Sequence, residues 1–485
     1  MSLRLDALLV EACARAPQAS ALADPETMLT FGALADAARQ TAAALRGIGL
    51  MPDEPVLVPV ANAPQDIAAF IGVWLAGGVV VPVARHAPAA AIEATRAATA
   101  ARLSVPRAGE AAPTGDHRTP PARPLLKDAA IIIFTSGSTG DPKGVVLGHD
   151  QFARKLMEID GVLGFSPATR SLPVLQITFV FGIWVTLLTL LKGGTTFMRL
   201  RADPATVAED IAVHGITDAA FVPTMLRRLV AADRAALAPQ LARGNLKRIH
   251  TGGEPFSPAL GQRLRELFPH AEIMDIFGLT ETASSDFFLP TTPGKDFAGG
   301  IGRISRSERF RIADAEGHVL PPGEVGELQI ATPFAMNGYL DRPDLTVAAF
   351  ADGYFRTGDL AFVRPDGSVE LAGRAKDLIV KGGAKISPLE LDGLIAQHPA
   401  VAAALTVGVP DAIVGERIHV LVVPRGAEPL AEDALRHWVA ERLERFKRPD
   451  VYHFGAELPT GRTGKVDRGA LRNRLAALDG GAAND

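Results

Sequence analysis

Residues 131–144 combine features that suit the binding of an anion. An apolar run, IIIF, leads into TSGSTG, and Pro142, Lys143 and Gly144 follow closely. Glycines let backbone N–H groups approach an anion, hydroxyl groups add hydrogen-bond donors, and a lysine neutralises negative charge. The spacing is not the P-loop pattern of nucleotide hydrolases, because Lys143 precedes a glycine rather than a hydroxylated residue. The segment predicts a polyphosphate-binding loop, although a Ser/Gly-rich segment taken alone is a flexible loop about as often.

Five further segments place carboxylates, glycines and basic residues at close spacing. They are GGEP at 252–255, DIFGLTET at 275–282, GYFRTGDLA at 353–361, GRAKDLIVKGGAKISPLELD at 373–392 and PTGRTGKVDR at 459–468. With the first segment, their sequence and order resemble the adenylate-forming enzymes: acyl- and aryl-CoA synthetases, peptide-synthetase adenylation domains and beetle luciferases. The resemblance extends over nearly the whole chain, and six motifs in the family's order exclude chance agreement as an explanation.

The resemblance implies an α/β fold in two domains. A large N-terminal domain of mixed sheets with flanking helices, residues 1–375, would bind ATP and the acid. A small α+β domain on a hinge, residues 376–485, would carry Lys465. The implied reaction joins a carboxylic acid to a thiol through an acyl-adenylate, with ATP and CoA as co-substrates and Mg²⁺ as the cofactor.

Residues of these motifs are assigned to ATP by the resemblance. They are Thr135, Ser136, Gly137, Ser138, Thr139, Gly140, Lys143, Gly253, Glu254, Pro255, Asp275, Phe277, Gly278, Asp359 and Arg374. Phe277 stands where the family usually has tyrosine against the adenine, so stacking would remain without the hydroxyl. Asp359 matches the aspartate whose carboxylate accepts hydrogen bonds from two ribose hydroxyls.

Three residues are assigned to catalysis in the same way: Lys465, Glu281 and Thr280. Glu281 matches the carboxylate that helps to hold Mg²⁺, an ion that prefers oxygen ligands. Lys465 matches a lysine that the C-terminal domain brings to the reacting phosphate. Because adenylation moves charge onto the α-phosphoryl group and the leaving oxygens, a cation placed there would stabilise the transition state.

The second step uses another face of the C-terminal domain in this family. The domain rotates about the residue two positions after the motif arginine, which is Lys376 here. A hinge residue absorbs a large backbone change at a boundary. The rotation would withdraw Lys465 and bring the CoA-side residues Gly382, Gly383 and Lys385 to the incoming thiol.

The acid pocket is predicted from the segment QITFVFG at 176–182 and its apolar surroundings. The assigned residues are Gln176, Phe179, Phe181 and Phe221. Amino-acid-activating relatives carry an aspartate near this segment, and an ammonium group without such a partner would be costly in an apolar pocket. The lining therefore favours an aryl or medium-chain acid, while any one of these residues is an ordinary core residue about as often.

Alternatives remain for the thiol and for the acceptor. Gln176 stands where many CoA ligases have histidine, so how the thiol channel is gated stays open. Arg227 and Arg228 are interpreted as helix-surface arginines. The favoured function is a ligase that forms a free CoA thioester. The alternative is a stand-alone adenylation enzyme that loads an acyl or aryl carrier protein. A degenerate nucleotide-binding module is disfavoured because the charged residues of all the motifs are present.

Composition sets outer limits on these functions. The chain has 485 residues, 47% hydrophobic and 21% charged, and a net charge of −4 provides no basic field for nucleic acid. A single cysteine, Cys13, cannot form an intramolecular disulfide, and Asp6 and Glu11 interrupt any signal-peptide core. A cytoplasmic location is therefore expected, while the oligomeric state stays open.

The elements that must position these residues are predicted by hydrophobic pattern. Residues 55–60 and 129–134 are apolar strands, and Pro59 favours an edge or a strand end for the first. Residues 105–128 predict an exposed connection. Residues 172–191 are uncharged and long enough to span a bilayer, but Pro173, Gln176 and Gly182 favour a buried element beside a pocket. Strands at 401–411 and 417–426 and a helix at 432–446 predict the small C-terminal unit.

Overall fold

The apolar runs form the centres of two large β-sheets. The computed structural model describes residues 2–105, 114–115, 119–135, 142–199, 203–426, 430–461 and 465–481. Most of the predicted phosphate loop, residues 136–141, therefore lies outside the described residues, as do residues 106–113 and 116–118 of the predicted connection.

Helices connect many of the strands. They are α1 (Leu5–Arg15), α2 (Phe31–Gly47), α3 (Pro64–Ala76), α4 (Ala89–Thr99), α5 (His149–Leu163), α6 (Val180–Leu191), α7 (Pro204–Val213), α8 (Pro223–Ala231), α9 (Arg234–Arg243), α10 (Pro258–Leu267), α11 (Pro343–Ala348), α12 (Pro388–Ile395), α13 (Glu432–Ala440) and α14 (Arg468–Gly481). Short 3-10 turns lie at Pro124–Leu126, Thr280–Thr282, Ala375–Asp377 and Arg445–Lys447. Asp203, Ser257 and Ser387 cap α7, α10 and α12 by accepting backbone N–H groups of the first turn.

The strands of the described residues are, in chain order, β1 (Ser20–Ala23), β2 (Met28–Thr30), β3 (Pro55–Val60), β4 (Val79–Ala84), β5 (Leu103–Ser104), β6 (Thr114–Gly115), β7 (Ala129–Thr135), β8 (Lys143–Gly148), β9 (Arg170–Pro173), β10 (Thr195–Phe197), β11 (Asp218–Phe221), β12 (Arg248–Gly252), β13 (Glu272–Phe277), β14 (Phe287–Thr291), β15 (Arg303–Ile304), β16 (Arg309–Ala313), β17 (Gly326–Ala331), β18 (Gly338–Tyr339), β19 (Phe350–Ala351), β20 (Tyr354–Val363), β21 (Val369–Arg374), β22 (Ile379–Lys381), β23 (Ala384–Ile386), β24 (Val401–Asp411), β25 (Gly415–Pro424) and β26 (Val451–Phe454).

Two large sheets have parallel centres and antiparallel ends. Sheet A has the order β15-β14-β13-β12-β11-β9-β10-β1-β2, and its strands from β13 to β1 pair in parallel. Sheet B has the order β18-β8-β7-β4-β3-β5-β6, with parallel pairing from β7 to β5. Parallel strands are buried on both faces, which explains the uniform apolar runs of β3, β4 and β7.

Two smaller sheets follow in the chain. Sheet C has the order β16-β17-β20-β19, with β21 also paired to β20. Sheet D has the order β23-β22-β25-β24, with β26 parallel to β25, and it forms the C-terminal lobe with α12, α13 and α14. The first long strand of this lobe appears at the predicted residues, and the second runs from Gly415 to Pro424 rather than over 417–426. The helix expected at 432–446 ends at Ala440.

Of the two predicted positions for Pro59, the end of a strand is observed, and β3 is not an edge strand. β3 is internal, since it pairs with β4 on one side and β5 on the other. The ladder with β5 includes only Val56 and Leu57, so Pro59, which has no N–H to donate, lies beyond it. A short neighbouring strand therefore accommodates proline in an internal strand.

The uncharged stretch 172–191 divides into two elements. Its first residues end β9, and its last twelve form α6, which is buried around most of its circumference. Among the described helices, none combines the length and the hydrophobicity that a membrane span needs. The buried interpretation of this segment is confirmed, because α6 is enclosed by protein.

A buried ion cluster joins α5 to the segment that follows β13. Lys155 Nζ lies 2.7 Å from Asp286 Oδ1 and 2.6 Å from Glu308 Oε1, and all three side chains are completely buried. Thr282 Oγ1 donates to Asp286 Oδ2 at 2.6 Å. Because buried charges persist only when they are paired, the cluster specifies how these segments meet.

Candidate active site

The predicted phosphate loop is closed by a two-strand hairpin. Thr135 ends β7, Lys143 begins β8, and the two residues are register partners. Lys143 Nζ lies 5.2 Å from the centre of the Tyr339 ring, at cation–π distance. The members of the loop outside the described residues are Ser136, Gly137, Ser138, Thr139 and Gly140. Their assignment to ATP stays a prediction, and the structure places a lysine where the loop returns to the sheet.

Glu281 lies in the 3-10 turn that follows β13. Its Oε1 accepts a hydrogen bond from the Tyr339 hydroxyl at 2.9 Å. Burial raises the pKa of the Glu281 carboxyl, while the Tyr339 hydrogen bond and the charges of Lys143 and Arg374 oppose that rise. Tyr339 therefore orients the carboxylate beside the lysine of the phosphate loop.

Asp359 and Arg374 are register partners on β20 and β21. Arg374 Nε donates to Asp359 Oδ1 at 2.8 Å. The second oxygen, Asp359 Oδ2, is buried and has no hydrogen-bond partner among the described residues. Burial raises the pKa of Asp359, and the guanidinium of Arg374 opposes the rise. Since buried polar atoms are nearly always satisfied, Oδ2 is suited to a donor from a ligand, such as a ribose hydroxyl.

Gly253 and Lys465 meet although they lie far apart in the chain. Gly253 has φ +81°, and a Cβ at this position would lie 2.7 Å from Lys465 Nζ. Both the backbone conformation and this close approach require glycine. Burial lowers the pKa of Lys465, the charge of Glu254 opposes this, and the charge of Arg374 adds to it. The lysine predicted to come from the C-terminal domain therefore lies against the GGEP motif.

Asp275 and Phe277 lie on the same face of β13. Asp275 is among the residues that line a small, mainly apolar cavity, and burial raises the pKa of its carboxyl to about 8. The Phe277 ring packs edge-to-face on Phe287, with 6.0 Å between ring centres. At Gly278 a Cβ would lie 2.0 Å from the backbone nitrogen of Ser285, so the chain turns there without room for a side chain. The predicted roles of these residues toward the base stay predictions.

Lys376 lies in the connection between sheets C and D. It is exposed in a short 3-10 turn after β21 and before β22. Gly382 and Gly383, with φ of 57° and 84°, form the exposed tip of the β22–β23 hairpin, and Lys385 is exposed on β23. The tip faces solvent while Lys465 lies at the GGEP motif, which is the arrangement that the resemblance implies for adenylation. The hinge role and the boundary at residue 376 stay predictions.

The loop of the predicted acid pocket joins β9 to α6. Gln176 and Thr178 are half-buried in it, and Thr178 Oγ1 donates to Gln176 Oε1 at 3.4 Å. Asn62, which is 5% exposed, secures the loop from outside. Its Nδ2 donates to the Leu175 oxygen at 2.7 Å, and its Oδ1 accepts the Ile177 N–H at 3.0 Å. Asn62 is a positioning residue that the sequence pattern did not indicate.

The aromatic residues assigned to the pocket differ in their surroundings. Phe179 is half-buried and precedes α6, and Phe181 stacks on Trp184 with 5.4 Å between ring centres. Phe221 is 2% exposed and packs within the apolar core of sheet A, between β11 and its covering helices. Phe179 and Phe181 therefore lie at the loop, whereas Phe221 has the environment of a core residue.

Charged groups from five motifs converge in this region. Glu281 interacts electrostatically with Lys143 and Arg374. Lys465 interacts with Glu254 and again with Arg374. Three cations and two carboxylates are thus brought together by sheets A, B and C and the C-terminal lobe. Cations fixed in one place before reaction are suited to stabilise charge on a polyphosphate.

Two groups of functional side chains were missed by sequence reasoning. Tyr339, which contacts both Lys143 and Glu281, lies outside the six motifs, and its one signal is that the chain has only 3 tyrosines. Arg227 and Thr224 bind the Glu254 carboxylate through bonds of 2.7 to 3.0 Å. Their spacing on α8 is that of ordinary helix residues, so it carries no signal.

Comparison with known protein families identifies the family to which the chain belongs. The profile of AMP-binding enzymes matches residues 9–340, more than half of the chain, and that of the AMP-binding enzyme C-terminal domain matches residues 390–465. The chain belongs to the AMP-binding enzyme family. The predicted membership of the adenylate-forming enzymes is therefore confirmed.

Curated relatives of this AMP-binding enzyme extend along most of its length. Sulfoacetate–CoA ligase of Cupriavidus necator is 32% identical over 97% of this chain and 97% of its own. Feruloyl-CoA synthase of Amycolatopsis sp. is 31% identical over 95% and 96%. Fatty acid–[acyl-carrier-protein] ligase ScoC of Streptomyces coeruleorubidus is 33% identical over 74% and 69%. The predicted enzyme class, an AMP-forming acid–CoA ligase, agrees with the family and with the first two names.

A solved structure confirms the predicted fold class. The crystal structure of the anthranilate CoA ligase AuaEII with anthranoyl-AMP superposes with a TM-score of 0.87, at 22% identity, over 98% of both chains. The AMP-binding enzyme thus has the α/β fold of mixed sheets with flanking helices and a C-terminal lobe that the sequence predicts.

Proposed function

We propose that this AMP-binding enzyme activates a hydrophobic carboxylic acid, aryl or medium-chain, as its acyl-adenylate and transfers the acyl group to CoA with release of AMP. The observation that carries the proposal is the position of Lys465, whose Nζ lies against Gly253 and interacts electrostatically with Glu254 and Arg374. Ligation of an acid to CoA through an adenylate agrees with the family and with the names of two relatives.

In the first step, a carboxylate oxygen of the acid forms a bond to the α-phosphorus of ATP. The bond from that phosphorus to the bridging oxygen breaks, and pyrophosphate leaves. Lys143 would neutralise the phosphates at the loop, and Lys465, whose Nζ lies against Gly253, would stabilise the charge that develops at the α-phosphoryl group. Asp359 Oδ2, buried and without a partner among the described residues, would accept a ribose hydroxyl.

The donor set at Glu281 fits Mg²⁺. A cluster of three acidic or histidine ligands is absent from the described residues, and Mg²⁺ is commonly bound by one or two carboxylates with phosphate and water oxygens. The Glu281 carboxylate, oriented by Tyr339 at 2.9 Å, would hold the ion. When bound, the ion would neutralise phosphate charge.

In the second step, the thiol of CoA attacks the carbonyl carbon of the acyl-adenylate. The thiol loses its proton to solvent as the thioester bond forms, the bond from the carbonyl carbon to the phosphate oxygen breaks, and AMP leaves. Lys465 would have to withdraw, and the hairpin tip at Gly382 and Gly383 would take its place. The glycines would let the pantetheine arm pass close to the backbone.

The class of acid is argued from the loop between β9 and α6. Its side chains carry no charge, Phe179 and Phe181 are apolar, and no carboxylate in the 176–182 segment could pair with a substrate amine. The relatives are named for acids as different as sulfoacetate and ferulate, so the family leaves the acid open. The uncharged loop favours hydrophobic monocarboxylates.

Hydrophobic monocarboxylates are therefore expected to give the highest kcat/KM. Without a partner for the ammonium group, α-amino acids should be turned over poorly. A pyrophosphate-release screen with aryl acids, aliphatic acids, sulfoacetate and α-amino acids measures this. Strong turnover of an amino acid or of sulfoacetate, with benzoate-like and aliphatic acids inactive, would contradict the proposed acid class.

A carrier protein is the alternative acceptor, and the relative ScoC, named as an acyl-carrier-protein ligase, favours it. Both acceptors present a pantetheine thiol, so the chemistry of the second step is the same. Incubation with labelled acid and ATP, and with either CoA or a holo carrier protein, separates them. Transfer of the label to the carrier protein and not to CoA would show that a carrier protein, rather than CoA, is the acceptor.

Lys376→Pro is expected to slow thioester formation while adenylate formation continues. Proline fixes φ near −65°, which would impede a rotation about this residue, and Lys376 is exposed, so packing is little affected. Single-turnover measurement of both half-reactions tests this, with Lys376→Ala as the matched control that keeps backbone freedom. Equal slowing of both steps by Lys376→Pro would remove the hinge role.

A further inference from the structure

The carboxylate of Glu254 is bound by the protein itself. Its Oε2 accepts bonds from Thr224 N–H at 3.0 Å, Thr224 Oγ1 at 2.8 Å and Arg227 Nη2 at 2.7 Å. Its Oε1 accepts the backbone N–H of Val466 at 3.2 Å. The side chain is only 5% exposed. Since its oxygens accept hydrogen bonds from protein donors, we expect Glu254 to have a structural role in addition to the predicted contact with ATP.

Two of the three donor residues lie on the same helix, and the third belongs to the C-terminal lobe. Thr224 and Arg227 lie on α8, so they hold the carboxylate in place. Val466 directly follows Lys465 and lies 212 residues from Glu254 in the chain. The Gly461 N–H donates to the Lys465 oxygen at 2.8 Å, and Thr460 and Val466 are antiparallel bridge partners. A bond to the Val466 N–H therefore fixes the backbone from which the Lys465 side chain extends.

We infer that Arg227, Thr224 and Glu254 form a latch that holds the Lys465 segment in the adenylation arrangement, with Arg227 as a positioning residue. The inference rests on the proposed role of Lys465. A hydrogen bond to a charged acceptor is about twice as strong as one between neutral groups. The bond from the Val466 N–H to the Glu254 carboxylate can therefore favour one orientation of the C-terminal lobe. The guanidinium of Arg227 orients the anion and compensates its burial.

The latch must also open once in each turnover. Thioester formation requires Lys465 to withdraw, and Val466 then leaves Glu254. A weakened latch should therefore affect the first half-reaction and leave the second unchanged. Loss of an ordinary surface ion pair would not distinguish the two steps, so the split between them is the signature of the latch.

Arg227→Met is expected to slow single-turnover adenylation about 10-fold at saturating ATP, because it removes the charged partner of a buried carboxylate. Thioester formation from preformed acyl-adenylate should keep its wild-type rate, which also shows that the variant is folded. Arg227→Lys keeps the positive charge and should recover most of the adenylation rate. Arg234→Met is the control, since Arg234 pairs with Glu266 at 3.3 Å on the exposed surface and should have no effect.

A double-mutant cycle identifies the route of the effect. If Arg227 acts through Lys465, Arg227→Met should cause no further loss in a Lys465→Ala background. An unchanged adenylation rate in Arg227→Met, an equal loss in both backgrounds, or an equal loss with preformed adenylate would each overturn the latch. Normal adenylation by Lys465→Ala alone would instead overturn the proposed role of Lys465, and the latch with it.

Discussion

Lys465→Ala is expected to lower the rate of adenylation by about 10²–10³-fold, or about 3–4 kcal/mol of transition-state stabilisation. The side chain lies against Gly253 and interacts with Glu254 and Arg374, so its charge is fixed before the reaction begins. Because the proposed mechanism withdraws Lys465 before thioester formation, chemically synthesised acyl-adenylate should give a near wild-type rate of thioester formation. Rapid-quench kinetics of the two half-reactions measures both expectations.

Two further variants make the Lys465 result specific. Lys143→Ala changes the phosphate loop and should mainly weaken nucleotide handling. Lys447→Ala removes a lysine that pairs with Glu390 at 2.8 Å in the same lobe, and it should change neither half-reaction. If Lys465→Ala adenylates normally, or fails equally with preformed adenylate, the role given to Lys465 is wrong.

The loss of adenylation activity at high pH should reflect the pKa of Lys465. Burial lowers the pKa of Lys465, and the protonated form is the one that stabilises phosphate charge. Adenylation should therefore decline as pH rises through this lowered pKa, before an exposed lysine would lose its proton.

Lys155→Met is expected to reduce the free energy of unfolding by about 3–5 kcal/mol. The variant would leave Asp286 and Glu308, both completely buried, without their shared cation. Removing one partner of a buried ion pair leaves an uncompensated charge, which costs far more than the loss of an exposed pair. Denaturant unfolding of the variant and the wild type measures the difference.

The free energy of unfolding of Lys155→Met should also depend on pH, in a direction set by Glu308. Burial already raises the pKa of Glu308 to about 8, with the charge of Asp286 adding to it and that of Lys155 opposing it. Without Lys155 the folded-state pKa should rise further above the unfolded value, so the folded variant binds more protons than its unfolded chain. Its stability should then fall as pH rises through that pKa. Lys192→Met, which removes a partly exposed pair with Asp160, should cost under about 1 kcal/mol, and a similarly small loss for Lys155→Met would contradict the argument.

Much of the architecture follows from patterns within single segments. The apolar runs at 55–60 and 129–134 predicted strands, and the two long strands predicted for the C-terminal lobe are present, the second with slightly shifted bounds. These features depend on local spacing, since a strand buried on both faces must be apolar at successive positions. The position of Pro59 shows the limit of such patterns, because the length of β5 decides whether a proline disturbs the ladder.

The sequence also determined which chemical groups this protein brings to its site. Lys143, Glu281, Asp359, Arg374 and Lys465 were indicated by the resemblance of their motifs to those of the adenylate-forming enzymes, and their residue types suit phosphate and Mg²⁺ chemistry. Whether each acts as assigned stays a prediction. Their types and their order belong to the chain itself and do not depend on how it folds.

The contacts that orient those groups depend on how distant segments pack. Tyr339 reaches Glu281 across 58 residues of chain, Arg227 reaches Glu254 across 27, and Val466 reaches Glu254 across 212. Phe221, assigned to the pocket, is 2% exposed and packs within an apolar cluster of residues from distant parts of the chain. A hydrogen bond depends on distances of a few tenths of an ångström, which are set when sheets and lobes assemble. Local spacing carries no information about that assembly, so only the folded chain could reveal these partners.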